Sequence, residues 1–299
     1  MPTISVVIPA HNAARTLPAV LGAIAGQDEP PDEVIVVDDG STDATPQIAQ
    51  AYGARLLRTG GGALAGGARN AGWEAAATDL VCFLDSDAIP EQGWGAGLRR
   101  AAREFPGAIV GCARTFAPRT AWGWVAHLQI ETPFLPRGEP RPVRFVSSYC
   151  MLVPRELPIR FSESYGGEDC LFSADAVRAG VPLVFDPRYR AFHDHDRESY
   201  RALRQQQRRH AFGLARCGTV QQEGLHKRIL SRLPVHYFLL ARLPAIYRRI
   251  RDDPALRRRF VGLLPRLALA EVTLGGSACR YVLRRPALRA ATGTGFRRP

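Results

Sequence analysis

Val81-Cys82-Phe83-Leu84-Asp85-Ser86-Asp87-Ala88 is an apolar run that stops abruptly at two carboxylates one residue apart. Four consecutive apolar residues are typical of a strand buried on both faces of a sheet. Two anions at the end of such a strand are unfavourable unless a cation compensates them. Mg²⁺ and Mn²⁺ prefer oxygen ligands and leave positions open for phosphate oxygens, so the pattern predicts a metal and diphosphate site. Isolated Asp-x-Asp triplets also occur in solvated turns, so the rest of the sequence must distinguish a metal site from a turn.

Strands and helices alternate on the N-terminal side of this run. Hydrophobic periodicity predicts strands at 4–9, 33–38 and 54–58, with helices between them and a further helix that begins near Ala68 after a flexible glycine-rich loop. Such alternation predicts an α/β fold with a mainly parallel, Rossmann-like sheet and helices on both faces. Ligands of these sheets bind beyond the carboxyl ends of the strands. Polar residues stand there: Pro9-Ala10-His11-Asn12, Asp38-Asp39 and Asp85-Ser86-Asp87.

The second half of the chain is less regular and is interrupted by proline at 133, 136, 140 and 142. Its predicted elements are a helix at 91–104, a strand at 108–114, a helix or loop at 121–130, a strand at 143–153, a helix from about 168 to 179, a short strand at 181–185 and a basic helix at 198–217.

Composition bounds the class of protein. The 299 residues, with 46% hydrophobic content, allow one large domain or a domain with an appendage. The N-terminus lacks a secretion pattern and no apolar run reaches the roughly 20 residues of a membrane-spanning helix. Six cysteines are scattered without a Cys-x-x-Cys pair, which disfavours zinc and disulfide frameworks. We therefore expect a cytoplasmic protein with reduced thiols.

Charge is concentrated at the C-terminal end. Residues 225–299 carry 17 Lys and Arg against three acids, whereas residues 1–224 carry 23 against 25. This asymmetry predicts an anionic partner, either a phospholipid surface or a nucleic acid.

Five motifs, in the same order along the chain, match a known protein family. Residues 5–12, Val37-Asp38-Asp39-Gly40-Ser41-Thr42-Asp43, Ala68-Arg69-Asn70-Ala71-Gly72, 83–87 and Gly167-Glu168-Asp169 together resemble the family 2 glycosyltransferases of GT-A fold. The resemblance implies an inverting, metal-dependent hexosyltransferase that uses a nucleoside-diphosphate sugar. It also implies a catalytic domain at 1–224, with a nucleotide-binding half at about 1–115 and an acceptor half at about 116–224. Residues 225–299 lie outside it.

The resemblance assigns roles to individual residues. Asp87 matches the metal ligand for Mn²⁺ or Mg²⁺, and Asp85 matches the acid near the ribose. Asp39 matches the acid that reads the base edge, and Arg69 the arginine near the nucleotide, where a cation suits a diphosphate. The floor beneath the base is implied to be Pro9 and His11.

Transfer with inversion also needs a base for the acceptor hydroxyl. Asp169 matches the catalytic aspartate of the family, and Glu168 is a structural or acceptor-side partner. At a helix N-terminus, Asp169 is expected to have a lowered pKa and to be ionised at neutral pH. His193 is implied as a further metal ligand, with His195 as the alternative.

The basic tail combines arginine with aliphatic residues at helical spacing. Proline divides it into short helices, and such helices can lie on an anionic membrane surface. We therefore predict peripheral attachment to the inner face of the cell membrane through 225–299. A membrane-bound hydroxyl acceptor, such as a lipid-linked sugar or a glycolipid precursor, would fit this attachment without being required by it. The alternative is a helical subdomain that packs on the catalytic domain.

A nucleic-acid-binding function of the tail is disfavoured because its aromatic residues follow apolar helical spacing and do not interleave with arginine. A catalytically silent nucleotide-sugar-binding relative remains a further alternative. A dinucleotide-dependent oxidoreductase is another, but this sequence lacks the Gly-x-Gly-x-x-Gly motif that such an enzyme carries after its first strand.

Overall fold

The structure is a computed structural model that describes residues 1–220 and 241–283. Within these residues the strands form one nine-stranded sheet. In chain order they are β1 (Ile4–Ala10), β2 (Glu33–Asp38), β3 (Arg55–Arg58), β4 (Leu80–Leu84), β5 (Ala88–Pro90), β6 (Ile109–Thr115), β7 (Arg141–Pro142), β8 (Cys150–Pro154) and β9 (Leu183–His193). The α-helices are α1 (Leu17–Ala25), α2 (Thr45–Ala51), α3 (Leu64–Ala75), α4 (Trp94–Glu104), α5 (Ala121–Ala126), α6 (Glu168–Arg178), α7 (Tyr200–Val220), α8 (Leu243–Ile250), α9 (Pro254–Gly262) and α10 (Leu264–Leu283).

Strand order in the sheet is β3-β2-β1-β4-β8-β6-β9-β5, with β7 paired to β9. The four N-terminal strands β3, β2, β1 and β4 are parallel, as are β6 and β9. Antiparallel pairing enters with β8, which lies between β4 and β6, and with β5 and β7 on β9. The predicted α/β fold of GT-A type is confirmed, and four of the five motifs lie in its parallel part, β1 to β4, whereas the fifth, 167–169, leads into α6.

The sheet is buried on both faces, as its apolar runs predict. On one face Ile8 of β1 packs in a cluster with Leu17 of α1 and Leu98 of α4. On the other face Val7 packs in a cluster with Trp73 of α3 and Phe172 of α6. Successive side chains of a strand point to opposite faces, so adjacent residues of β1 enter different cores.

Two predicted strands have different boundaries in the structure. The strand expected at 143–153 is formed only by β8, and the short strand expected at 181–185 continues to His193 as β9 because it pairs with β5, β6 and β7. The segment 121–130, predicted as a helix or a loop, is helical: α5 is followed by a π-helical turn, His127–Glu131.

Helix α3 begins at Leu64 and not near Ala68, so Gly66 and Gly67 lie inside it. Close packing explains why position 66 is glycine, because a Cβ on Gly66 would lie 2.1 Å from the backbone oxygen of Ser162. The glycine-rich sequence therefore permits close approach between α3 and the segment that precedes α6, and is not only a connection.

We expect Gly66→Ala to lower the free energy of unfolding by about 1–3 kcal/mol, because the methyl group meets backbone that cannot rotate away. Gly276→Ala is the matched control, since Gly276 is also helical and has no neighbour within 4 Å of the added methyl group. Alanine has the higher helix propensity, so this control should unfold at the same or a higher temperature. Calorimetric unfolding of both variants measures the contrast, and a Gly66→Ala protein as stable as the parent would contradict it.

The chain divides into two compact units. Unit 1 contains residues 1–116, 134–164 and 168–195 and holds the whole sheet. Unit 2 contains 117–133, 165–167 and the described residues from 196 onward. The predicted domain boundary at 224/225 lies outside the described residues, as do the tail segments 225–240 and 284–299, so the division into 1–224 and 225–299 stays a prediction.

Unit 2 buries part of the apolar surface predicted for the tail. Leu274 and Ala278 of α10 cluster with Ala211 of α7. Gln129 donates to Glu271 at 3.0 Å, and Arg242 pairs with the same buried carboxylate at 3.1 Å. Five large hydrophobic side chains of the described residues 241–283 are exposed: Tyr247, Val261, Leu264, Leu269 and Val272. No helix within the described residues is long and apolar enough to cross a membrane.

Candidate active site

The two carboxylates that follow β4 have different surroundings. The Asp85 carboxylate accepts a 2.6 Å hydrogen bond from the Arg69 guanidinium, and the Asp85 backbone N–H donates to the backbone carbonyl oxygen of Tyr149. Desolvation raises the pKa of Asp85, Arg69 opposes this, and the nearby Asp87 charge raises the pKa further. The Asp85 carboxylate is therefore fixed by its ion pair with Arg69.

Arg69 is the buried cation of the site. Its side chain is 3% exposed and forms ion pairs with Asp85 at 2.6 Å and Glu168 at 3.2 Å. Its guanidinium also lies over the ring of Phe161. Because a buried charge is costly unless paired, this arrangement fixes Asp85 and the start of α6 relative to each other. The prediction placed Arg69 near a helix start, whereas α3 carries it in its interior.

Asp169 stands in the first turn of α6 and accepts a hydrogen bond from the Cys170 N–H at 2.8 Å. Desolvation and the adjacent Glu168 charge raise the pKa of Asp169, Arg69 opposes both, and the net result is a pKa of about 6. The predicted lowering of this pKa was wrong because desolvation outweighs the helix terminus. With a pKa of about 6, the carboxylate is still mostly ionised at pH 7, as a base requires.

Asp87 and His193 are brought together by strand pairing. β5 and β9 are antiparallel with Ala88 opposite His193, which leaves the Asp87 Oδ2 3.6 Å from the His193 Nε2. The Asp87 side chain is 35% exposed and that of His193 only 5%. His193 therefore lies within ion-pair distance of Asp87. His195 is also buried, and its ring lies against Phe116 at 3.9 Å between centroids.

Asp39 has its carboxylate engaged by the following loop. It accepts hydrogen bonds from the Thr59 hydroxyl at 2.6 Å and from the N–H groups of Ala63 and Leu64 at 2.9 and 3.0 Å. The loop expected to be flexible is thereby tied to β2. Oδ2 accepts only one of these bonds, so a lone pair stays available for a ligand.

Pro9 and His11 lie beside this loop. Pro9 pairs with Val37 in the sheet, and the His11 Nδ1 lies 2.9 Å from the backbone oxygen of Asp39. A carbonyl oxygen only accepts, so Nδ1 carries the proton. Because β1 separates β2 from β4, Asp39 and Asp85 follow strands that are about 10 Å apart at the same edge of the sheet.

The sequence reasoning missed Arg114, at the carboxyl end of β6. Its guanidinium lies over the rings of Phe134 and Tyr149, at 4.2 and 4.3 Å from the centroids. Its charge lowers the pKa of Asp169 and so acts on the site electrostatically. The signal was available, because Arg114 ends a predicted strand and the strands direct their carboxyl ends to the ligand.

Acidic side chains at the carboxyl ends of parallel strands, on a sheet of this order, define an α/β protein of the GT-A class. A family model described as "Glycosyl transferase family 2" matches residues 5–158, more than half of the chain. The chain therefore belongs to glycosyltransferase family 2.

Individual relatives agree with this assignment. Glycosyltransferase AglE of Haloferax volcanii is 35% identical over 101 residues, which cover 31% of this chain and 33% of AglE. The chain thus spans about a third of the length of that relative. The mannosyltransferase PcManGT of Pyrobaculum calidifontis, solved with GDP-Man and Mn²⁺, has a TM-score of 0.58 at 19% identity over 98% of this chain and 88% of its own. Glucosyl-3-phosphoglycerate synthase of Mycobacterium tuberculosis, solved with Mn²⁺, UDP and glucosyl-3-phosphoglycerate, has a TM-score of 0.51 at 27% identity over 73% and 80%.

Proposed function

We propose that the protein is an inverting glycosyltransferase that moves a hexosyl group from a nucleoside-diphosphate sugar to an acceptor hydroxyl. The observation that carries the proposal is the joining of Asp85, Glu168 and Asp169 around one buried guanidinium, with Asp87 beside His193 at the same strand end. Two of the similar solved proteins hold Mn²⁺ with a nucleotide or nucleotide sugar, which supports this class of donor.

Asp169 is the general base of the proposed reaction. A carboxylate with a pKa of about 6 is ionised at pH 7 and takes the proton from the acceptor hydroxyl. The acceptor oxygen then forms its bond to the anomeric carbon while the bond from that carbon to the β-phosphate oxygen breaks. The electron pair leaves with the nucleoside diphosphate, and attack on the opposite face inverts the anomeric configuration.

Asp87 and His193 fit a divalent cation. Carboxylate and imidazole are both ligands of Mn²⁺, and the partial exposure of Asp87 leaves room for phosphate oxygens beside it. Bound there, Mn²⁺ or Mg²⁺ would stabilise the negative charge of the departing diphosphate. Asp85 is committed to Arg69, so we assign it to the donor ribose and not to the metal. Asp39, Pro9 and His11 are the proposed base-binding residues.

Glu168→Gln tests the base assignment through pH. Because the Glu168 charge raises the pKa of Asp169, its removal is expected to shift the acidic limb of kcat/KM below its position near pH 6. In the parent, activity falls as the pH drops through about 6, since the protonated carboxyl group cannot accept the acceptor proton. Glu163→Gln is the control, because Glu163 bonds Asn70 and should leave the limb in place. Coincident profiles for Glu168→Gln and the parent would remove Asp169 from the role.

We also propose that residues 225–299 attach the protein to an anionic membrane, where a lipid-linked acceptor would be available. The described part of this tail, 241–283, carries nine arginines and three acids. The exposed apolar side chains of α9 and α10 support the same proposal. Flotation with anionic vesicles checks it: loss of binding on deletion of residues 225–299 is expected, and equal binding would contradict it.

A further inference from the structure

Unit 2 contains a cavity of about 680 Å³ that the proposed reaction does not use. It lies between the segment 118–124, which leads into α5, and helix α9. Three arginines line it: Arg119, Arg258 and Arg259. No carboxylate is among the lining residues. A cavity with cations and without a lining acid favours an anionic ligand.

The cationic side of the cavity is partly organised in advance. The Arg259 guanidinium lies 4.3 Å from the centroid of the Trp124 ring, which also lines the cavity. Stacking on an aromatic ring restrains an arginine while its N–H groups stay available to a phosphate. Arg119 is held at its Nε by Glu198, at 3.7 Å, with 76% of its side chain exposed. Within the described part of the chain no carboxylate pairs with Arg258.

Exposed aliphatic residues flank the lining residues in the sequence. Leu263 lines the cavity together with Gly262, and Val261 and Leu264, on either side of this pair in the chain, are 62% and 42% exposed. Arginines in a cavity with exposed aliphatic residues next to them in the chain match a ligand with a phosphate at one end and a hydrocarbon at the other. A soluble phosphate or a sugar phosphate would gain nothing from these exposed aliphatic residues.

We infer that this cavity binds the phosphate head group of an anionic membrane lipid, with Val261 and Leu264 entering the acyl region beside it. The inference gives the proposed membrane attachment a specific site. It does not depend on glycosyl transfer, because lipid binding here needs neither the donor nor Asp169.

The test measures binding of the full-length protein to phosphatidylcholine vesicles with and without phosphatidylglycerol. Both R258Q/R259Q and the control R248Q/R251Q remove two positive charges, so both lose the same diffuse attraction to the anionic surface. Only R258Q/R259Q also removes two of the three guanidinium groups that line the cavity, so it is expected to bind the anionic vesicles about 10-fold or more weakly than the control, whose arginines are exposed and lie outside the cavity. Equal losses would assign binding to diffuse charge and overturn the inference, as would unchanged binding by R258Q/R259Q.

A second pair of variants tests the exposed aliphatic residues. V261N/L264N should weaken vesicle binding, whereas V177N, at a 45% exposed valine of unit 1, should not. Competition with inorganic phosphate at constant ionic strength separates the two sources of phosphate. Complete displacement together with normal binding by V261N/L264N would assign the cavity to a soluble phosphate and overturn the lipid assignment. Unchanged unfolding temperatures and donor binding in all variants show that neither misfolding nor a damaged active site causes the loss.

Discussion

Asp169→Asn is expected to reduce turnover by about 10²–10⁴-fold while donor affinity stays unchanged, because asparagine keeps the shape of the side chain and cannot accept the acceptor proton. The amide can still accept from the Cys170 N–H, so the first turn of α6 should persist. The measurement is the rate of nucleoside diphosphate release, with the donor first selected by thermal shift among UDP-, GDP- and dTDP-sugars.

A control on the same helix isolates the effect. Asp175→Asn alters an exposed carboxylate of α6 that pairs with Arg178 and is expected to leave the rate near that of the parent. Full activity of Asp169→Asn would place the base elsewhere. A loss of donor binding as large as the loss of turnover would make Asp169 a binding residue.

Asp87→Ala is expected to abolish the Mn²⁺-dependent part of the stabilisation that a donor nucleotide gives. Loss of one of two proposed protein ligands leaves His193 alone, which is too little to hold the cation against water. A ligand at 100 times its Kd stabilises a protein by about 2.7 kcal/mol, so the lost shift in unfolding temperature is measurable. Without metal or nucleotide the variant should unfold near the temperature of the parent, because Asp87 is partly exposed.

Neighbouring carboxylates provide the contrast. Asp194→Ala removes a carboxylate paired with Arg15 and should retain the metal-dependent shift. Asp85→Ala should differ from both, because it removes one of the two carboxylates paired with the buried Arg69 and should lower the free energy of unfolding by about 1–3 kcal/mol even without ligand. A metal-dependent shift that survives in Asp87→Ala would contradict the assignment.

The sequence was sufficient for features that depend on local pattern. The apolar run before Asp85 required a buried strand, and the rule that ligands meet the carboxyl ends of parallel strands brought Asp39, Asp85 and Asp87 to one edge. The motif matches added Asp169 and His193, which lie far along the chain. The β5–β9 pairing that sets His193 beside Asp87 had no local signal.

Features that depend on distant packing could not be predicted. Arg69 is buried because Phe161 and Glu168, about a hundred residues later, pack against it. The pKa of Asp169 rises because the neighbourhood excludes water, and no pattern around one residue reports that exclusion. The loop after β3 is held by Asp39, so its glycines serve close packing as well as turning. In each case the partner comes from another element.

Anomalous diffraction from crystals grown with Mn²⁺ and a nucleoside diphosphate locates the ion directly, without assumptions about the acceptor. We expect one manganese ion bound by Asp87 and His193, with diphosphate oxygens completing its coordination and Asp85 still paired with Arg69. Manganese bound elsewhere, or a diphosphate bound away from these carboxylates, would contradict this expectation.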